Sequence, residues 1–361
     1  MFNLLKYRGG FYIAGLVKLI MVQVSEYPSL SIVVPVLNMG KTIKATLDSL
    51  VNLEYPRNLL EIIVVDGKSR DNTRKIVQEY PVKLVDQEGT GLNAARNTGI
   101  KYSSGEIIAY TDGDCVVPPD WAKLIAKNFQ EPSIGFVGGT MEGYDPSSIL
   151  SNYMDESLFQ SKPGFRIRIE ATDLKLMQFP AGANMAFRRK SLARVKFFDE
   201  NITYGFDDLQ PVEAMGFKGF RIVLDPEVSI LHQHRNTLKS LLKQHFNYGR
   251  GGSLLIIHKR ASILASWYAA YLISSLAILS ILGFLIYIGF KVDHPLPWNL
   301  AFGVLGIFFA LNTIYYLPVS IRTGKLWKII LYPTLDILRG IAFTSGGLYQ
   351  MVQSLSQKVI R

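Results

Sequence analysis

Residues 31–53 read SIVVPVLNMGKTIKATLDSLVNL. Ser31–Leu37 is a short β-branched run, the pattern of a parallel strand buried on both faces. Lys41–Leu53 then places apolar residues at Ile43, Leu47, Leu50 and Val51, a helical spacing. The unit recurs downstream. Leu60–Val65 (LEIIVV) predicts a second strand, and Asn72–Tyr80 a second helix with Asp71 as its N-cap. Val82–Val85 predicts a third strand, Gly91–Lys101 a third helix and Ile107–Thr111 (IIAYT) a fourth strand. Strands alternating with helices predict an α/β chain with a doubly wound, mostly parallel sheet. No internal repeat is visible, and Ser147–Thr172 reads as an irregular or helical excursion.

Composition limits what such a chain can be. Of 361 residues, 48% are apolar, which excludes a disordered chain. The single cysteine, Cys115, excludes a disulfide scaffold. Mean hydropathy is +0.18 and the net charge +10, with pI about 9.4. Residues 1–260 carry 32 basic and 27 acidic residues, whereas residues 261–361 carry only 7 and 2. The excess is split evenly and forms no basic stripe. Nucleic acid is therefore not expected as a partner, and attraction to anionic lipid head groups accounts for the charge.

The poorly charged tail has membrane composition. Ala261–Phe290 holds no charged residue, and neither does Pro297–Ile321. Each exceeds the roughly 20 apolar residues that span a bilayer. A third run, Ile329–Val352, contains Asp336 and Arg339, spaced to pair on one helix face. It is expected either to span or to pack against the other two. His258, Lys259 and Arg260 precede the first run, and Arg322, Lys325 and Lys328 follow the second. Basic loops thus flank the side of the N-terminal domain, which is expected to be cytoplasmic. Met1–Val22 is apolar but broken by Lys6, Arg8 and Lys18, and no A-x-A-like cleavage site follows. It reads as an interfacial helix. The expected organisation is an interfacial helix over 1–28, a catalytic domain over 29–235, amphipathic interfacial helices over 236–260, and a transmembrane region of two to three helices over 261–361. The cell membrane is the expected location.

In sheets of this kind ligands bind beyond the carboxyl ends of strands. Asp66 follows the second strand, and Asp112 and Asp114 follow the fourth. Any one of them could simply cap a helix; three at one edge form a candidate site. In Asp112-Gly113-Asp114 a glycine between two carboxylates would let the chain turn so that both reach one cation. Such hard oxygen ligands suit Mg²⁺ or Mn²⁺. Alone, the motif is often just a turn.

These segments together resemble the family-2 glycosyltransferases of the GT-A fold. The resemblance rests on SIVVPVLN (31–38), IIVVDGKSRDNT (62–73), GLNAARNTG (91–99) and TDGD (111–114), and covers about residues 29–260. It implies that Pro35, Asn38 and Asp66 line the nucleotide end, with Arg96 and Asn97 beside it. It implies Asp112 near the ribose and Asp114 on the metal. Lys68 stands where the family often has a second Asp. FPAGANMAF (179–187) resembles an acceptor-side segment, with Gly182 and Asn184 as sugar or phosphate contacts or as a tight structural turn. Tyr204–Leu209 (YGFDDL) resembles the stretch carrying the general base. Phe206 replaces the usual Glu, and the interval to Gly216 is short. Asp207 is the favoured base and Asp208 the alternative, whichever is not the base capping the helix that follows. QHFNYGRG (244–251) resembles the Q-x-x-R-W stretch of processive polysaccharide synthases, with Asn247 and Tyr248 in place of Arg and Trp. Gln244 and Tyr248 are candidate sugar contacts, although Tyr248 also suits a membrane interface. His232 resembles a histidine near the metal or diphosphate, or is structural. The implied activity is metal-dependent, inverting transfer from a UDP- or GDP-sugar to a lipid-linked acceptor. Polyprenyl phosphate is the alternative acceptor, and processive synthesis a more remote one. The sequence leaves the oligomeric state open.

Overall fold

The first strand, β1 (Leu30–Val36), is buried at every position, as a strand covered by helices on both faces must be. Ile32, Val34 and Val36 enter one core while Val33 enters the other, the two-residue period of a strand. The computed structural model describes residues 27–157, 165–173, 180, 182–259, 261–292 and 294–359. The interfacial helix expected over 1–28 falls almost wholly outside them, as do Phe179 and Ala181.

The described elements run β1, α1 (Ile43–Val51), β2 (Leu60–Asp66), α2 (Thr73–Val77), β3 (Lys83–Asp86), α3 (Leu92–Tyr102), β4 (Ile107–Tyr110), β5 (Cys115–Val116), α4 (Trp121–Asn128), β6 (Ile134–Gly143), α5 (Ile149–Glu156), β7 (Ile169–Ala171), β8 (Met185–Arg188), α6 (Arg189–Arg194), α7 (Leu209–Phe217), β9 (Arg221–His232), α8 (Leu238–His258), α9 (Ile263–Lys291), α10 (Leu296–Thr323) and α11 (Lys328–Val359). The strands form one sheet in the order β3-β2-β1-β4-β8-β6-β9-β5, with β7 also on β9. The first four are parallel. β8 is antiparallel to both β4 and β6, and β6 is parallel to β9. β1, β2, β4, β6 and β9 therefore all end at one edge of the sheet. Helices α1 and α4 fill one core (Leu47, Trp121, Ile125), and α3, α6 and α7 the other (Ala95, Leu192, Val212). The second helix is shorter than expected, and Asp71 serves it from one residue before the N-cap, accepting from Thr73 N at 3.0 Å.

The stretch expected to form amphipathic helices over 236–260 is one helix, α8, from Leu238 to His258. Gly249, Gly251 and Gly252 within it are contact points. A Cβ on Gly249 would lie 1.8 Å from Phe343 O, and one on Gly346 of α11 would lie 1.9 Å from Phe246 O. Missing side chains let the α8 and α11 backbones touch. The third apolar run, α11, packs along α8. Helices α9 and α10 are long and apolar enough to cross a membrane, and Ile273, Phe284, Phe302 and Ile307 are exposed on them.

The Asp336–Arg339 pair is buried, at 3.6 Å, and tied to the sheet domain. Asp336 accepts from Tyr153 Oη of α5 at 2.6 Å and from Tyr316 Oη of α10. Arg339 donates to Tyr153 Oη, Ser157 Oγ and His245 Nε2. Lys328 pairs with Glu156 at 2.6 Å. The charges in this run fasten helices together.

Candidate active site

Three chain segments meet at the shared strand edge. The first is the end of β2. Asp66 is fully buried, pairs with Arg74 at 2.8 Å and accepts from Ser69 N at 3.2 Å. Opposite it, Asn38 N donates to Ser69 Oγ and Asn38 Oδ1 accepts from Arg70 N, both at 2.8 Å. Asn38 and Lys68 hold φ of 55° and 67°, a conformation costly for residues with a Cβ. The cross-links hold both turns in it. Pro35 lies in β1 against Val65, one position before the strand end.

The second segment follows β4. The chain turns at Asp112–Asp114 as expected, Cys115 N donating to Asp112 O at 3.2 Å, but without a positive φ at Gly113. Its reason is space: a Cβ would lie 2.9 Å from Val36 Cγ1. The tight fit presses the Asp112–Asp114 turn onto β1. Asp114 Oδ1 lies 3.5 Å from His232 Nε2 and 3.9 Å from Cys115 Sγ. Cys115 and His232 are opposite residues of the β5–β9 pair, and Asp114 O accepts from Gln233 N at 2.9 Å. His232 Nδ1 is 3.0 Å from His234 Nδ1, and His234 Nε2 is 2.8 Å from Asp155 of α5.

Burial raises the Asp114 carboxyl against the pull of Arg235. Burial and the neighbouring Asp114 raise Asp112 against Arg96 and His232. Two carboxyls pushed upward beside each other mark a place where a cation would relieve the strain. Burial, then the adjacent His234, lower His232 to about 4, so its ring is neutral and able to ligate near pH 7. The carboxylate donors suit Mg²⁺ or Mn²⁺, and the imidazole suits softer divalent ions. The residues present fit a divalent cation.

The third segment is the loop before α7. Tyr204, Gly205 and Phe206 have φ of 79°, 148° and 58°. Helix α8 braces this strained stretch: Arg250 stacks 3.8 Å over the Tyr204 ring, and a Cβ on Gly251 would lie 2.4 Å from Gly205 O. Phe206 packs on Tyr268 of α9. Asp207 ion-pairs with Arg96, and both are nearly fully buried. Burial opposes the Arg96 charge, but Asp207, Asp208 and Asp112 outweigh it and hold the guanidinium charged. Asp208 stands at the α7 N-cap without capping it through its side chain. Burial and Asp207 push its carboxyl up to about 6.

Residues 31–196 match the family described as Glycosyl transferase family 2. This segment is a glycosyl transferase family 2 domain.

Glycosyltransferase AglE of Haloferax volcanii is 27% identical over 235 residues, 63% of this chain and 74% of that protein. The poly-beta-1,6-N-acetyl-D-glucosamine synthase of Staphylococcus aureus is 26% identical over 244 residues, 65% of this chain but only 57% of the synthase. Mannosyltransferase PcManGT from Pyrobaculum calidifontis, solved in complex with GDP-Man and Mn²⁺, superposes with a TM-score of 0.58 over 92% of this chain and 96% of its own, at 21% identity. The family-2 domain thus has the GT-A-like fold.

Asp66, Arg96, Asp112 and Asp114 of the matched segment gather at one edge with Asp207, Asp208 and His232, which follow it in the chain. Gly182 joins them, since a Cβ there would lie 2.1 Å from Asp208 Oδ2. Tyr248 packs under Gly205 and accepts from Gln244 Nε2 at 2.8 Å; Gln244 Oε1 is buried with no partner among the described residues. Two residues fall elsewhere. Asn97 donates to Phe198 O and Glu200, away from the carboxylates. Asn184 is fully buried, with both amide hydrogens on Thr140 O and Val228 O and its oxygen accepting from Trp121. It fastens α4, β6 and β9 together. Sequence reasoning missed Asp155, His234 and Arg235 as parts of the site. The H-x-H-R run at 232–235 was the available signal.

Proposed function

We propose that this chain is a membrane-bound, metal-dependent, inverting glycosyltransferase that moves a sugar from a UDP- or GDP-sugar to a lipid-linked acceptor. The observation that carries the reading is the single edge shared by Asp66, Asp114–His232 and Asp207–Asp208. Asp66 and the Asn38 turn would receive the nucleoside. Asp114 and His232, with Asp112 beside them, would hold Mg²⁺ or Mn²⁺, which neutralises the diphosphate of the leaving nucleotide. Arg235 adds positive charge at the same place.

The base is assigned to Asp208 in preference to Asp207. Asp207 is committed to its buried ion pair with Arg96. A carboxyl near pKa 6 is better matched to accepting a proton near pH 7. Asp208 would take the acceptor hydroxyl's proton as that oxygen attacks the anomeric carbon opposite the leaving group. Gly182 leaves room beside its carboxylate. Tyr248 and Gln244 lie on the acceptor side of the same loop. The GDP-Man and Mn²⁺ bound by PcManGT support a nucleotide-sugar donor and a cation. Helices α9 and α10 support a lipid acceptor, because both would hold the site at the bilayer.

A second reading, polysaccharide synthesis, draws on the Staphylococcus aureus synthase. Asn247 and Tyr248 in place of Arg and Trp weigh against it. The test is nucleotide release: detergent-solubilised chain with Mn²⁺ should release UDP or GDP from one class of nucleotide sugar, faster when lipid acceptor is added. No release from any donor rejects the reading.

A further inference from the structure

Cys115 is the only cysteine in the chain, and it lies within the cation site. Its Sγ, the Asp114 carboxylate and His232 Nε2 all lie within 4.8 Å of one another. Four-coordinate zinc has bonds of about 2.0–2.3 Å, which sets neighbouring ligand atoms roughly 3.3–3.8 Å apart. The Asp114–His232 spacing of 3.5 Å is already of that size, and the Asp114–Cys115 spacing of 3.9 Å is just above it. The scaffold is rigid: Cys115 and His232 face the same way as opposite residues of an antiparallel pair. All three side chains are buried.

We propose that Asp114, Cys115 and His232 form a three-donor site for a thiophilic divalent cation, of the zinc and cadmium class, which displaces Mn²⁺ or Mg²⁺ and inhibits transfer. The proposal rests on the reading of Asp114 and His232 as the cation site. Sulfur, nitrogen and oxygen together are a zinc-type donor set, unlike the oxygen-rich set that Mg²⁺ requires. On binding, the Cys115 proton passes to solvent and the thiolate ligates the ion. A tetrahedral ion with three protein ligands keeps one open position. A six-coordinate ion held by Asp114 and His232 keeps several, enough to chelate a diphosphate. The thiophilic form is therefore occupied but poorly able to hold the leaving group.

The single cysteine makes the test specific. The full-length, detergent-solubilised chain is titrated with Cd²⁺ alone, and the ultraviolet thiolate-to-cadmium charge-transfer band is followed. The expected result is a band saturating at one cadmium per chain and abolished in Cys115→Ser. His232→Ala should weaken cadmium affinity at least tenfold, and Mn²⁺ should compete. A band indifferent to His232→Ala and to Mn²⁺ overturns the proposal, because the cysteine then acts alone. Mn²⁺ binding, followed separately by electron paramagnetic resonance, separates the two readings. Mn²⁺ bound with no cadmium band overturns this inference and leaves the cation site standing. Neither ion bound overturns both.

Discussion

Arg96 of α3 and Asp207 form a buried ion pair across 111 residues of chain. Arg96 also donates to Asn93 Oδ1 at 3.0 Å, and Asn93 donates to Asp199 O and Ile202 O. The pair thus locks α3 to the loop that carries the two carboxylates. Arg96 also faces Asp208, partly opposing the rise that burial and Asp207 impose on its carboxyl.

Arg96→Ala should leave Asp207 buried and unpaired. Removing one partner of a buried pair typically costs about 3–5 kcal/mol. The expected outcome is a lowered unfolding midpoint together with loss of transfer, measured by thermal unfolding and nucleotide release. An unchanged midpoint would mean that water replaces the guanidinium.

Asp208→Asn should lower kcat about 10²–10⁴-fold with a hydroxyl acceptor, the usual loss for a general base. Donor affinity should change little. Wild-type activity should rise with pH through about 6 as Asp208 deprotonates, and that limb should vanish in the variant. Asp207→Asn should instead lower stability through Arg96. If neither variant loses rate with a phosphate acceptor, no base is needed, since that acceptor is already ionised.

Stability should also report on α11. Arg339 Nε donates to His245 Nε2, and burial, then Arg339, lower His245 to about 3. The folded state resists a proton that the unfolded state accepts near 6.5. Stability is therefore complete above 6.5 and falls as pH drops toward 3. His245→Gln should flatten that slope in thermal unfolding measured across the interval. An identical slope would remove His245 from the account.

A protease-accessible tag at residue 294 should lie on the opposite side of the membrane from the family-2 domain, and one at residue 324 on the same side. Protection assays on oriented vesicles read this directly. Both tags on one side would mean that α9 and α10 do not each cross.

The parallel half of the sheet was legible because β1, β2 and β4 are uninterrupted β-branched runs and α1 has a clean apolar stripe. The mixed half was less legible; β5, for one, has two residues, too few for a period to show. Asp66, Asp112 and Asp114 were legible from strand ends. Which of Asp207 and Asp208 meets Arg96 was not, since that depends on the fold of the loop before α7. Asn184 misled for a related reason: a Gly-rich turn before a strand serves a ligand or a core equally well in sequence. The use of the glycines in α8 and α11, backbone contact, was not legible, because it depends on partners far along the chain, such as Gly249 against Phe343 O.

The most direct measurement is nucleotide release by full-length protein with and without Mn²⁺, in wild type and Asp114→Ala, with folding checked by thermal unfolding. The account predicts Mn²⁺-dependent release of UDP or GDP by wild type, and no Mn²⁺-dependent release or Mn²⁺-dependent nucleotide binding by a folded Asp114→Ala. Equal, Mn²⁺-dependent turnover by the two proteins would contradict it.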